Sequence, residues 1–303
     1  MWCTPSFTAL YCEAVMTALF ALATSLLWGL ADFGGGLLTR RMPALTVVVA
    51  SQSIAVVVLG VIVVATGGFA EAGPRLWYAA AAGVVGPVAM LSFYKALALG
   101  PMGVVSPLGS LGVAVPVGVG LLLGERPGLL QFTGIGVAVV GIVLAGGPEL
   151  RGAPVQRQAV LLTLTAAFGF GAVMALIAEA STTLAGLFPA LFVQRVTNVA
   201  VGGAALYVSV RRGGRALPED GGMRVVLASL PALAFVGLAD VAANGTYSVA
   251  AQTGPVTVAA VLANLYPVVT VLAALAVLKE RLRAVQAAGA GLALVGTVLL
   301  ATG

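Results

Sequence analysis

Asp240, Asn244 and Tyr247 fall at i, i+4 and i+7 within a stretch that is otherwise apolar. In a helix this spacing places all three on one face. A second polar group lies upstream, where Gln194 and Arg195 are followed by Asn198, again inside an apolar run. A second acid, Asp32, sits in the first apolar run, eight and nine residues before Arg40 and Arg41. The chemistry open to these groups is binding and proton transfer. Arg195 can anchor a carboxylate of a small molecule, or it can form a structural ion pair, with Asp240 as a candidate partner. Asp240 and Asn244 can line a polar cavity, or they can tie helices together by hydrogen bonds. Asp240 and Asp32 are the two candidates for proton coupling. For Asp32 the plainer role, capping local structure or pairing with Arg40 or Arg41, is preferred.

Aromatic residues and prolines form a second set. Trp28, Tyr94, Tyr247 and Tyr266, together with Asn264, can supply a broad and adaptable lining for an amphipathic guest, or they can simply pack. Trp77 and Tyr78, beside Arg75 at a helix start, suit an interfacial belt. Pro267 lacks an N–H and breaks local helix bonding near Asn264, and Pro116 stands in the corresponding part of the first half. Lys95 and Glu179 lie close to helix ends, where their side chains reach polar surroundings.

The elements that must position these residues are membrane helices. Of 303 residues, 60% are hydrophobic and only 8% charged, and the mean hydropathy is +1.11. A soluble domain carries about 25% charged residues. Ten apolar runs are long enough to span a bilayer, which takes about 20 residues. They cover 15–37, 44–66, 76–98, 102–123, 129–146, 158–178, 187–209, 224–249, 255–277 and 284–302. Their length and lack of alternation argue against barrel strands. The fold class is therefore an all-α integral membrane protein. With no histidine, and with both cysteines (Cys3 and Cys12) in the N-terminal tail, a metal site and a disulfide framework are not expected. No cofactor is expected either. Translation can begin at Met1 or Met16, and no secretory signal is evident.

An internal repeat organises the ten runs. Residues 125–146 and 280–301 match at a constant offset. Glu125-Arg126 pairs with Glu280-Arg281, and Gln131 with Gln286. Gly134, Gly136 and Gly141 pair with Gly289, Gly291 and Gly296. A weaker echo joins Trp28-Gly29 to Phe168-Gly169, and Gln52-Ser53 to Gln194-Arg195. Each half holds five helices. Because five is odd, the second half runs through the membrane in the opposite sense, giving two inverted repeats. The division is a tail at 1–14, a first repeat at 15–146, a linker at 147–158 and a second repeat at 159–303. The glycine and alanine stripes of the fifth and tenth helices predict close helix packing.

Loop charges predict an orientation. Two arginines, Arg75 and Arg126, lie on the side of the N-terminus, against eleven Lys and Arg residues on the other side. The positive-inside rule then puts both termini outside the cell.

These motifs resemble those of the drug/metabolite transporter superfamily, in its ten-helix branch with two EamA domains. Leu27-Trp28-Gly29 is similar to the family's first-helix signature. Tyr94, Ala96 and Gly100-Pro101 resemble its junction between the third and fourth helices. Leu123-Gly124-Glu125-Arg126 and Leu278-Lys279-Glu280-Arg281 resemble its charged turns, and Leu265-Tyr266-Pro267 its kinked ninth helix. Gly112 departs from the pattern, standing where the offset places a proline. The resemblance implies a secondary transporter in the plasma membrane, an exporter of small metabolites or drugs. Its partners would be a small-molecule substrate and the lipid bilayer, with no nucleic acid, and a homodimer is left open. A membrane receptor or an intramembrane enzyme is the alternative, but the chain offers no evident nucleophile–base set.

Overall fold

The computed structural model describes residues 7–71, 73–113, 115, 128–146, 157–180, 183–253, 262–263, 265–279 and 284–302. Among the described residues all regular structure is helical. The principal helices are α1 (Phe7–Thr39), α2 (Ala44–Thr66), α3 (Leu76–Leu99), α4 (Met102–Gly109) and α5 (Leu129–Gly146) of the first half. The second half supplies α6 (Arg157–Ala180), α7 (Leu184–Arg211), α8 (Leu230–Thr253), α9 (Tyr266–Ala273) and α10 (Ala284–Thr302). Pro116, Asn264 and the charged pairs 125–126 and 280–281 lie outside the described residues.

Composition explains why these segments are helices in lipid. A helix satisfies its own backbone polar groups, which hydrocarbon cannot do. Helices α1, α2, α3, α6 and α7 are each long and apolar enough to cross a bilayer. Their ends follow local chemistry. The turn after α2 uses Gly67 at φ 67°, a left-handed conformation that costs glycine little. The hydroxyl of Thr183 caps α7 by accepting from the Gly186 N–H at 3.1 Å.

One span departs from the sequence expectation of an unbroken helix over 224–249. A short helix, Gly222–Ala228, meets α8 at a bend of 50°. Pro231 accounts for the break. It has no N–H for the carbonyl of Leu227, and its ring crowds the preceding turn.

The packing follows the repeat. α1 lies along α8, and its counterpart α6 lies along α3. α3 touches α7 as α8 touches α2, and α2–α7, α4–α9 and α5–α10 pack across the centre. Exchanging each helix with the one five places on maps these pairs onto each other, as two inverted five-helix repeats require. At the α5–α10 contact, a β-carbon on Gly141 would run into the backbone of Ala293 and Gly289. Small residues here let the helices touch backbone to backbone.

The two symmetry-related pairs are held differently. Between α1 and α8 the hydroxyls of Thr24 and Thr246 share a hydrogen bond at 2.8 Å, and those of Thr17 and Thr253 one at 3.1 Å. Between α3 and α6 the contact is steric, with Gly169 against Ala89. The largest buried apolar cluster includes Leu38, Val47, Phe93, Leu97, Leu233 and Val236. These residues belong to the end of α1, the start of α2, the end of α3 and the start of α8. The cluster therefore fills the interior toward the α1–α2 turn.

Candidate functional site

Above that cluster lies a cavity of about 310 Å³. Six helices contribute to its wall: α1, α3, α6, α7, α8 and α9. Trp28 and Asp32 enter from α1, Tyr94 from α3, Arg195 from α7, Asp240, Asn244 and Tyr247 from α8, and Tyr266 from α9. Residues from five separate runs of the sequence thus converge on one space. Lys95 and Glu179 do not line it, and both are exposed. Trp77 stacks on Tyr78 at 3.8 Å between ring centres and is 59% exposed, which suits an interfacial position.

The charged centre is an ion pair across two helices. Arg195 Nη2 lies 2.8 Å from Asp240 Oδ2. Arg195 Nη1 donates to Gln52 Oε1 on α2 at 2.6 Å. Asn244 Nδ2 donates to the Asp240 backbone carbonyl at 2.7 Å and, more weakly, to Oδ1 at 3.4 Å. The side chain of Arg195 is 8% exposed and that of Asp240 is 21% exposed. A buried guanidinium needs such partners, because an unpaired charge in a low-dielectric interior is costly. The pairing with Asp240 is the structural alternative weighed for Arg195.

Gln52 carries no charge, so the scarcity of charge at membrane depth does not mark it. Its echo with Gln194 across the repeat is the signal that marks it. Both are fully or nearly buried, on the paired helices α2 and α7. Among the described residues, several polar atoms around them have no partner: Gln52 Nε2, Gln194 Oε1, Arg195 Nε and Asn198 Oδ1. The close approach that buries them depends on α3. A β-carbon at Gly86 would meet the Asn198 carboxamide, and one at Gly83 the backbone of Gln194.

The aromatic lining is organised around Trp28. Its ring centre lies 6.0 Å from that of Tyr247 and 6.1 Å from that of Tyr266, the latter edge-on at 75°. Both distances fall in the range of favourable aromatic pairs. Gly29 makes this possible, since a side chain there would strike Val269 and the Tyr266 carbonyl. The Thr270 hydroxyl then donates to the Gly29 carbonyl at 3.0 Å, locking α9 onto α1. Pro267 lies in the first turn of α9, just after a turn at Leu265, where its missing N–H needs no partner. Tyr94 reaches across to the backbone of Gly35 on α1.

The opposite wall is apolar. Phe170, Val173, Met174 and Ile177 project from α6, and Met90 from α3. The aromatic and polar pattern of α1 and α8 revealed one wall, whereas this one has no distinctive sequence signature.

Two inverted five-helix repeats around a central cavity with buried polar groups define a membrane protein of the secondary-transporter type. The EamA-like transporter family model matches residues 15–147 and again 157–302. The chain belongs to the EamA-like transporter family. Comparison with curated proteins gives no match. A solved crystal structure shares the fold, with a TM-score of 0.61 and 17% sequence identity over 94% of this chain and 96% of the other. Membership implies a small-molecule substrate and a multi-pass position in a lipid bilayer.

Proposed function

We propose that this protein is a secondary transporter that exports small amphipathic metabolites, amino-acid-like compounds or drugs by alternating access. The observation that carries this reading is the central cavity, where residues of both repeats meet around the Arg195–Asp240 pair. In such folds the substrate site lies between the repeats, and rocking of one against the other exposes it to each side in turn. On this reading the buried apolar cluster of Leu38, Val47, Phe93 and Leu233 is the plug that closes one side. The site residues are Trp28, Tyr94, Arg195, Asp240, Asn244, Tyr247, Asn264 and Tyr266, with Asp32 and Asp240 as proton carriers if transport is coupled. The position is the plasma membrane, with both termini outside, so the plug faces the cytoplasm.

Uptake into proteoliposomes, with a panel of amino acids and dyes and with an imposed pH gradient, tests the reading. Movement of at least one compound above protein-free vesicles supports it. A complete absence of movement across the panel, with unchanged drug resistance on overexpression, sinks it. A C-terminal reporter that is active only in the cytoplasm should be silent, and strong activity overturns the orientation.

A further inference from the structure

The cavity is not balanced in charge. Its wall holds two carboxylates, Asp32 and Asp240, and one guanidinium, Arg195. Arg195 is committed to Asp240 at 2.8 Å. Among the described residues, Asp32 has no hydrogen-bond or ion-pair partner. Neither Arg40 nor Arg41, its nearest basic residues in sequence, lines the cavity. When both acids are ionised, two acids against one base leave a single formal negative charge without a counter-charge among the lining residues.

The surroundings of that acid are specific. Trp28 and Asp32 stand at i and i+4, so they share a face of α1, and both line the cavity. Trp28 is the hub of the aromatic trio, with Tyr247 and Tyr266 each about one ring-contact away. Rings attract cations through their negatively charged faces, and clustered rings are how quaternary ammonium groups are recognised. From α6 the same cavity takes Phe170 and Met174, with no charged group.

We propose that the cavity takes a small organic cation, a quaternary ammonium or protonated amine with an apolar body. The charged head sits by Asp32 within the ring set of Trp28, Tyr247 and Tyr266, and the body lies against Phe170 and Met174. This rests on the transporter reading of the same cavity and narrows its substrate class. An anion would meet the unpaired Asp32 and find Arg195 already engaged. With a neutral amphiphile in place, Asp32 would have to take up a proton to lose its charge.

The test uses the full chain in detergent, with Trp2→Phe and Trp77→Phe, so that Trp28 is the sole tryptophan. Benzyltrimethylammonium is titrated while Trp28 emission is followed, in parallel with its uncharged carbon isostere, neopentylbenzene. Saturable binding of the cation is expected, at least roughly tenfold tighter than the isostere. Asp32→Asn should weaken cation binding by a similar factor while keeping the same elution volume and melting transition. Should that variant not fold, the comparison of cation with isostere decides alone. Equal binding of the two probes, no saturable response to the cation, or a folded Asp32→Asn protein that binds it unchanged overturns the proposal. Transport separates the two readings. If amino acids or dyes move but the cation neither binds nor moves, the cation site falls and the transporter stands. If the cation binds but nothing on the panel moves, the site stands and the transporter reading falls.

Discussion

Arg195 on α7 and Asp240 on α8 meet at 2.8 Å, and Gln52 on α2 takes a second hydrogen bond from the same guanidinium at 2.6 Å. One side chain thereby joins three helices from both repeats. Among the described residues the carboxamide is its only partner from the first repeat, so the contact also links the two halves.

Breaking this pair from either side should destabilise the protein. Asp240→Asn or Arg195→Gln leaves a buried charge alone, at a cost of about 3–5 kcal/mol. The double variant removes both charges and should recover much of the loss. Thermal melting of the four proteins in detergent measures the coupling. Strictly additive losses would show that the two side chains act independently.

Gln52→Leu should cost less than Asp240→Asn. It removes a charge-assisted hydrogen bond, about 1.5–3 kcal/mol. It also removes Gln52 Nε2, a buried donor without a partner, which offsets part of that loss. The expected order of melting temperatures is therefore wild type, then Gln52→Leu, then Asp240→Asn. The reverse order for the two variants would mean that the carboxamide, not the carboxylate, is the main support of Arg195.

The seam between α1 and α9 should be intolerant of bulk. Gly29→Leu drives a side chain into Val269 and the Tyr266 carbonyl, so folded yield should collapse. Thr270→Val loses the hydroxyl's bond to the Gly29 carbonyl and its weaker one to the Tyr266 carbonyl at 3.3 Å, together about 0.5–1.5 kcal/mol. Yield on size-exclusion chromatography distinguishes the two. A well-folded Gly29→Leu protein would show that this seam is not tightly packed.

Filling the apolar wall should block transport without unfolding the chain. Val173 lines the cavity and is partly exposed, so Val173→Trp can place its ring in the empty space. Initial rates in proteoliposomes should fall by roughly tenfold or more, equivalent to about 1.4 kcal/mol in barrier, while the melting temperature stays near wild type. Undiminished transport of the same compound would place its path elsewhere.

The sequence by itself determined the membrane, the helices and the repeat. Apolar run length, charge scarcity and the match of residues 125–146 with 280–301 are local or linear features, and lipid forces long apolar runs into helices. It also marked Asp240, Asn244 and Tyr247 as one face, since helical spacing is a local rule. The tertiary structure decided who meets whom. Gln52 and Arg195 are 143 residues apart, and nothing local tells one buried carboxylate that takes a guanidinium from another that takes none. Asp240 and Asp32 look alike in the sequence, each a lone acid in an apolar run. Only the crossing of α2, α7 and α8 gave the first its arginine. Only the packing of α8 and α9 on α1, made close by Gly29, placed the second in the cavity that also holds Trp28, Tyr247 and Tyr266. The break at Pro231 likewise needed the folded chain, because a proline near a helix start can either begin a helix or bend one, and the neighbouring turn settles which.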